Sequence, residues 1–390
     1  MQSYTFNHAE KGLIEFIDKK RWYWMMAIFW SLFPVVVVTF YVSVENIWLL
    51  LVPLELAFFM IPLLDYILGP DTTNPPEEIV PQLDKDPYYE RLLAFTIPAH
   101  FIAVTAAAWL VGHYDLGVVG LIAFSIIIGA YSGLSINTAH ELGHKTTKFE
   151  RLLSRIILSL TGYGHFCSDH NIGHHRDVAT PEDSSSARMG ESVYRFMLRE
   201  IPGAIRRGWS AEVNRLNKRG QHTWSMNNHI LQSYAVTLLF QGGLSVVLGW
   251  PVLVFFVLHN AMAWFQLTSA NYIEHYGLLR AKKANGKYER CQPHHSWNSN
   301  HVMSNLLLFQ LERHSDHHAN PSRPYQSLRS FNDLPELPSG YFGMYMLAYV
   351  PWLWFRVMDK TLMAIPHIDG DLSKVNIDPK NEKKIRERWA

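Results

Sequence analysis

Leu116–Lys145 reads LGVVGLIAFSIIIGAYSGLSINTAHELGHK. From Leu116 to Ile136 it holds no charged side chain, close to the ~20 apolar residues that cross a bilayer as a helix. The run ends almost directly on His140-Glu141-Leu142-Gly143-His144. Residues four apart share one helix face, with Cβ atoms roughly 5–6 Å apart. Two imidazoles so placed reach one metal ion at about 2.0–2.1 Å. This stretch therefore predicts a membrane helix that carries a metal-ligating pair out of the bilayer.

Five further runs have the same character: Tyr23–Val42, Ile47–Leu68, Leu92–Val111, Ile230–Leu248 and Val252–Tyr272. The loops 43–46 and 112–115 are short, so neighbouring runs form antiparallel hairpins. The expected fold is an all-α integral membrane protein of six transmembrane helices with a helical cytosolic cap. Its expected regions are 1–138 with the first four helices, 139–229 with two histidine clusters, 230–272 with the last two helices, and a C-terminal segment 273–390. Lys11, Lys19, Lys20 and Arg21 precede the first run, and the segment after the fourth is rich in Lys and Arg. The two short loops carry neither. Positive charge collects on the cytoplasmic side, which places both termini and the active site in the cytoplasm. Leu152–Phe166 is apolar but too short to span and reads as re-entrant or interfacial. Tyr341–Phe355, interrupted by Pro351, reads as an interfacial helix.

Two more histidine clusters follow the first: His170-Asn171-Ile172-Gly173-His174-His175 and His314-Ser315-Asp316-His317-His318. On helical spacing His175 points away from the His170/His174 face and reaches a second ion. Eight clustered histidines are too many for one tetrahedral site and suit two metals. Imidazole accepts iron, copper, zinc or nickel, so ligand type alone does not choose. A site at the mouth of an apolar bundle suits a lipid-dissolved substrate, and O₂ activation by a redox metal is the tool for an unactivated hydrocarbon. His140-Glu141-x-x-His144 also matches the zinc-protease pattern, but that reading leaves two clusters idle. A metal transporter would set its ligands near the bilayer midplane, not at helix ends. Neutral ligands call for outer carboxylates that accept the other ring N–H. Glu141, Asp169, Asp177, Asp183, Glu274, Glu312 and Asp316 are the candidates.

Net charge +1 argues against a nucleic-acid partner. Two cysteines, Cys167 and Cys291, build neither a disulfide framework nor a four-thiolate iron site.

HELGHK (140–145), HNIGHHRDVATPED (170–183), NYIEHYGLLR (271–280), PHHSWNSNH (293–301) and LERHSDHHANPSRPYQSLR (311–329) together resemble the bacterial integral-membrane alkane 1-monooxygenases, the alkane hydroxylases of the membrane fatty-acid desaturase and hydroxylase superfamily. NYIEHYG separates these enzymes from desaturases, which share only the histidine clusters. The resemblance implies two non-haem iron ions, O₂ as oxidant and terminal hydroxylation of medium- or long-chain n-alkanes. It implies electrons from rubredoxin, served by an NADH-dependent reductase, and a home in the bacterial inner membrane among its lipids. It adds His275 as a ninth ligand to His140, His144, His170, His174, His175, His314, His317 and His318.

Four lesser expectations complete the reading. His294, His295 and His301 belong to a packing segment beneath the site. Glu55 and His100, polar groups inside apolar runs, form a pair. Arg206, Arg207, Lys218 and Arg219 offer a basic face to acidic rubredoxin. Ala57, the small residue in a bulky stretch of the second run, lines the far end of an alkane slot between the first four helices.

Overall fold

The structure, a computed structural model, describes residues 2–389. Six helices are long and apolar enough to cross a membrane: Tyr23–Val44, Ile47–Leu68, Pro87–His113, Gly117–Gly143, His229–Leu248 and Trp250–His275. Large apolar side chains such as Val118, Val119, Leu239, Val246 and Val247 are exposed around the bundle, and the chain is a multi-pass membrane protein. The third, fourth and sixth helices outrun their apolar stretches. The extra turns of the fourth and sixth leave the bilayer and end on His140 and His275.

The fourth and sixth helices approach closely where Gly129 and Gly133 face His259, Met262 and Gln266. A Cβ on Gly129 would stand 2.5 Å from the His259 carbonyl oxygen. Small residues four apart let membrane helices meet backbone to backbone. Gly129→Val is therefore expected to lower the midpoint of heat inactivation in detergent through overpacking worth about 1–3 kcal/mol. Gly243→Ala, whose Cβ meets nothing within 4 Å, should leave that midpoint unchanged.

Lys148–Ser159 is an amphipathic helix packed under the fourth and fifth membrane helices; of the re-entrant or interfacial segment expected over Leu152–Phe166, it fits the interfacial form and begins four residues earlier. Beyond it, the cap is built on the helix Val193–Asn217. Tyr341–Ala348 and Pro351–Met363 are two helices broken at Pro351. They are core elements as much as interfacial ones, since Tyr341, Tyr345 and Trp354 are buried. Asp65, near the end of the second membrane helix, accepts from the backbone N–H of Met303 (2.8 Å) and Ser304 (3.0 Å) and so caps the helix Val302–Leu307. A small antiparallel hairpin, Gln2–His8 with Gly12–Asp18, precedes the bundle and was not expected. Its strands pair Tyr4 with Phe16 and Phe6 with Ile14 on one face.

Glu55 and His100 do not pair. Glu55 points outward from the second helix, whereas His100 meets the Ser31 hydroxyl at 3.1 Å in the first. The second helix packs on the first and fourth rather than on the third, which carries His100.

Candidate metal centre

The nine histidines come together from four segments and sort into two groups. His140, His144, His170, His175 and His317 form one, and His174, His275, His314 and His318 the other. Within each group the ligating atoms all lie within 4.8 Å of one another. In the first, His140 Nε2 is 2.9 Å from His317 Nε2, His170 is 3.0 Å from His175, and His175 is 3.2 Å from His317. In the second, His314 Nε2 lies 3.2 Å from His275 and 2.9 Å from His318.

These spacings fit ligands around an ion. Nitrogens about 2.1 Å from one metal stand roughly 3 Å apart when adjacent. Bare imidazole lone pairs would not converge so in a buried space. His144 Nε2 and His174 Nε2 are buried with no hydrogen-bond partner at all. Burial pushes His144, His170, His175, His314, His317 and His318 well below the ordinary histidine pKa, so the rings are neutral, the form that ligates.

The grouping departs from the expected one. His170–His174 is a π-helical turn, in which the His175 backbone N–H bonds to the His170 carbonyl. Bonding from i to i+5 widens the turn, so His170 and His175 share a group and His174 leaves for the other. Helical spacing of the ordinary kind had assigned that departure to His175. Gly173 lies inside this turn, where a Cβ would meet Asp169 Oδ1 at 2.9 Å. In the helix His314–Ala319, His314 and His318 keep ordinary i,i+4 spacing and His317 faces the five-histidine group.

Of the seven candidate carboxylates, two meet histidines. Asp183 accepts from His174 Nδ1 at 2.9 Å, which aims Nε2 at the centre of its group. Glu274 Oε2 lies 3.4 Å from His314 Nε2. The other five are engaged elsewhere, because neighbours in sequence on a helix point to different faces. Glu141 accepts from Lys145 (2.6 Å) and the Tyr325 backbone (3.2 Å). Asp169 pairs with Arg207 at 2.7 Å, and Asp177 pairs with exposed Arg176. Glu312 accepts from the Tyr341 backbone at 2.6 Å, and Asp316 holds Arg323 and the Arg329 backbone.

Arg207 is not an exposed docking residue. Its guanidinium bridges Asp169 and Asp183, tying the cap helix to the π-turn. Buried Glu200 on the same helix accepts from Thr268 (2.8 Å) and Asn271 (3.1 Å), just before His275. Burial raises its carboxyl to about 7. Sequence reading missed Glu200 and placed Arg207 on a docking face. Each acts about twenty to seventy positions away from its partners, where no local spacing signals contact. His295 and His301 stay outside both groups. Their segment packs against the third cluster, with Asn298 Oδ1 accepting from the Ser315 backbone at 2.9 Å.

Between the first, second, fourth and sixth membrane helices lies an apolar cavity. Trp30, Ala57, Tyr131, Leu134 and Phe342 line it, together with Asn137, one turn before His140. The cavity borders the sixth helix and not the third, unlike the space between the first four helices where the slot was expected.

Six membrane helices, two of which carry ligands into two all-histidine groups, define the class of histidine-rich, metal-dependent membrane oxidoreductases. A family profile described as fatty acid desaturase accordingly matches residues 116–348. Within that class the chain belongs to the alkane 1-monooxygenase family. It is 49% identical over 367 residues to alkane 1-monooxygenase 1 of Alcanivorax borkumensis, covering 93% of this chain and 90% of that one. It is 48% identical to an alkane 1-monooxygenase of Pseudomonas putida over the same shares. The alkane 1-monooxygenase of Acinetobacter baylyi is 40% identical, over 96% of this chain and 92% of its own.

Proposed function

We propose that the nine histidines hold two iron ions and that the enzyme hydroxylates the terminal carbon of medium- and long-chain n-alkanes, with O₂ as oxidant and electrons from rubredoxin. The convergence of five and four imidazole nitrogens beside an apolar cavity carries this reading. Iron bound there supplies the redox chemistry of O₂: one oxygen enters the alcohol, the other leaves as water, and two electrons and two protons are consumed. The chain's own residues position and exclude. The cavity wall holds the alkane extended, its end methyl toward Asn137 and the His140 turn, so inner carbons stay away from the reacting end. Asp183, on the outer nitrogen of its ring, sets the orientation of His174. The excess of Lys and Arg on the histidine side supports a cytoplasmic site in the bacterial inner membrane.

The test is product analysis from a mixture of n-alkanes, with rubredoxin, its reductase and NADH supplied. Primary 1-alkanols are expected. Alkenes would indicate a desaturase, and internal alcohols would overturn the end-on slot.

Ala57 is buried on the cavity wall within the π-helical turn Leu56–Met60. Ala57→Trp would fill that part of the slot. Selective loss of the longest alkanes with the shortest spared is expected in a chain-length series. A uniform loss would instead report damaged helix packing.

A further inference from the structure

We propose that the basic hairpin Arg280–Arg290, RAKKANGKYER, is the docking surface for an acidic one-electron carrier protein, and that electrons enter through His175. This rests on the reading that a soluble acidic carrier reduces the site. Of the nine histidines, only His144 and His175 are not fully buried. They are the two ligand edges that reach toward the outside, and their surroundings differ in sign. His144 lines an open pocket bearing Asp84, Asp86, Glu90, Glu141 and Glu150 against Lys145. An acidic protein is repelled there.

His175 stands at the opposite kind of surface. The hairpin is fastened to the segment that follows it. Arg280 donates from Nη1 to the carbonyls of Arg176 (2.8 Å) and Val178 (3.2 Å), and its backbone N–H to Ala179 (2.8 Å). The Tyr288 hydroxyl donates to Glu182 at 2.8 Å. So mounted, the hairpin presents Lys282, Lys283, Lys287 and Arg290, all exposed and in no ion pair among the described residues. Lys282 also sits 4.9 Å from the centre of the Tyr288 ring, an aromatic anchor amid the charges. Arg176, the residue next to His175, is exposed too, but its charge is paired with Asp177, so the free positive charge is the hairpin's own.

The other basic surface is poorly placed. Lys218 and Arg219 lie eleven and twelve residues beyond Arg207, and Arg207 is consumed by Asp169 and Asp183. Eleven residues of helix are about 16 Å. At the hairpin, each encounter oxidises one carrier and delivers one electron, and two encounters supply a turnover. No bond forms or breaks in that step.

The experiment uses the full-length enzyme in membranes, with rubredoxin as the probe titrated at low ionic strength and turnover also driven by a small chemical reductant with a mediator dye. For the combined variant Lys282→Glu, Lys283→Glu and Lys287→Glu, the rubredoxin concentration giving half-maximal rate should rise about tenfold or more. The difference should shrink at high salt, and chemically driven turnover should stay unchanged. Arg206→Glu with Lys218→Glu and Arg219→Glu should shift it by less than about twofold. If rubredoxin drives the wild type and the hairpin variant keeps the same dependence, the docking surface is overturned alone. If the wild type ignores rubredoxin yet turns over with the chemical reductant, the carrier reading falls and the docking surface with it.

Discussion

His317→Ala is expected to cut turnover by more than about 100-fold and to remove the metal of the five-histidine group while the four-histidine group keeps its own. Partners outside the coordination sphere typically cost about 10–100-fold when lost, so a ligand costs more. His317 Nε2 is 2.9 Å from His140 and 3.2 Å from His175, between ligands contributed by two other segments. No neighbouring side chain can take its place. His318→Ala makes the matching case. The two residues are adjacent in one short helix, yet about 100° of helical rotation sends them to different groups. His318→Ala should empty the four-histidine group and spare the other. Metal content and turnover of the two purified variants check this. Full activity in His317→Ala would refute its place in the site, and loss of both metals in both variants would refute the division into groups.

Asp183→Asn is expected to lower turnover about 10–100-fold and to weaken metal retention in the four-histidine group. Asp183 is fully buried, which alone would raise its pKa, but His174 and Arg207 hold it well below the usual carboxylate range. The anion does two things. It accepts from His174 Nδ1, fixing the tautomer and aim of the ring, and it gives Arg207 the second of its two carboxylates. Ser186 Oγ and the Ser185 backbone N–H complete its shell, so the carboxylate cannot turn away. Asn keeps the shape and still offers one oxygen to His174. It removes the charge that strengthens the ring as a ligand, and it leaves Arg207 facing Asp169 alone. Metal retention against a chelator measures the effect, and wild-type retention in Asp183→Asn would show that His174 needs no carboxylate.

Much of this arrangement was readable in the residues because it is local. Apolar runs of bilayer length gave six helices, and histidines at i, i+3 and i+4 marked three ligand-bearing turns. What was unreadable depends on backbone geometry or on contacts between distant segments. The π-turn at His170–His174 exchanged the destinations of His174 and His175, since a single wide turn rotates every later side chain. Glu141, Asp177 and Asp316 stand next to ligands in sequence, yet point to Lys145, Arg176 and Arg323. Arg207 looked like one more surface cation until the cap helix laid it between two buried acids. Ala57 was legible as a small residue in a bulky stretch, but the cavity it lines is closed by the sixth helix and Phe342, distant in sequence. The N-terminal hairpin escaped because its strands are short and only half-buried.

The most direct measurement is the metal content of the purified, active wild-type enzyme, read by elemental analysis beside its alkane-hydroxylating activity. About two irons per chain, both required for activity on add-back to metal-stripped protein, is the expected result. A single metal per chain, or zinc in both groups with full activity retained, would contradict it.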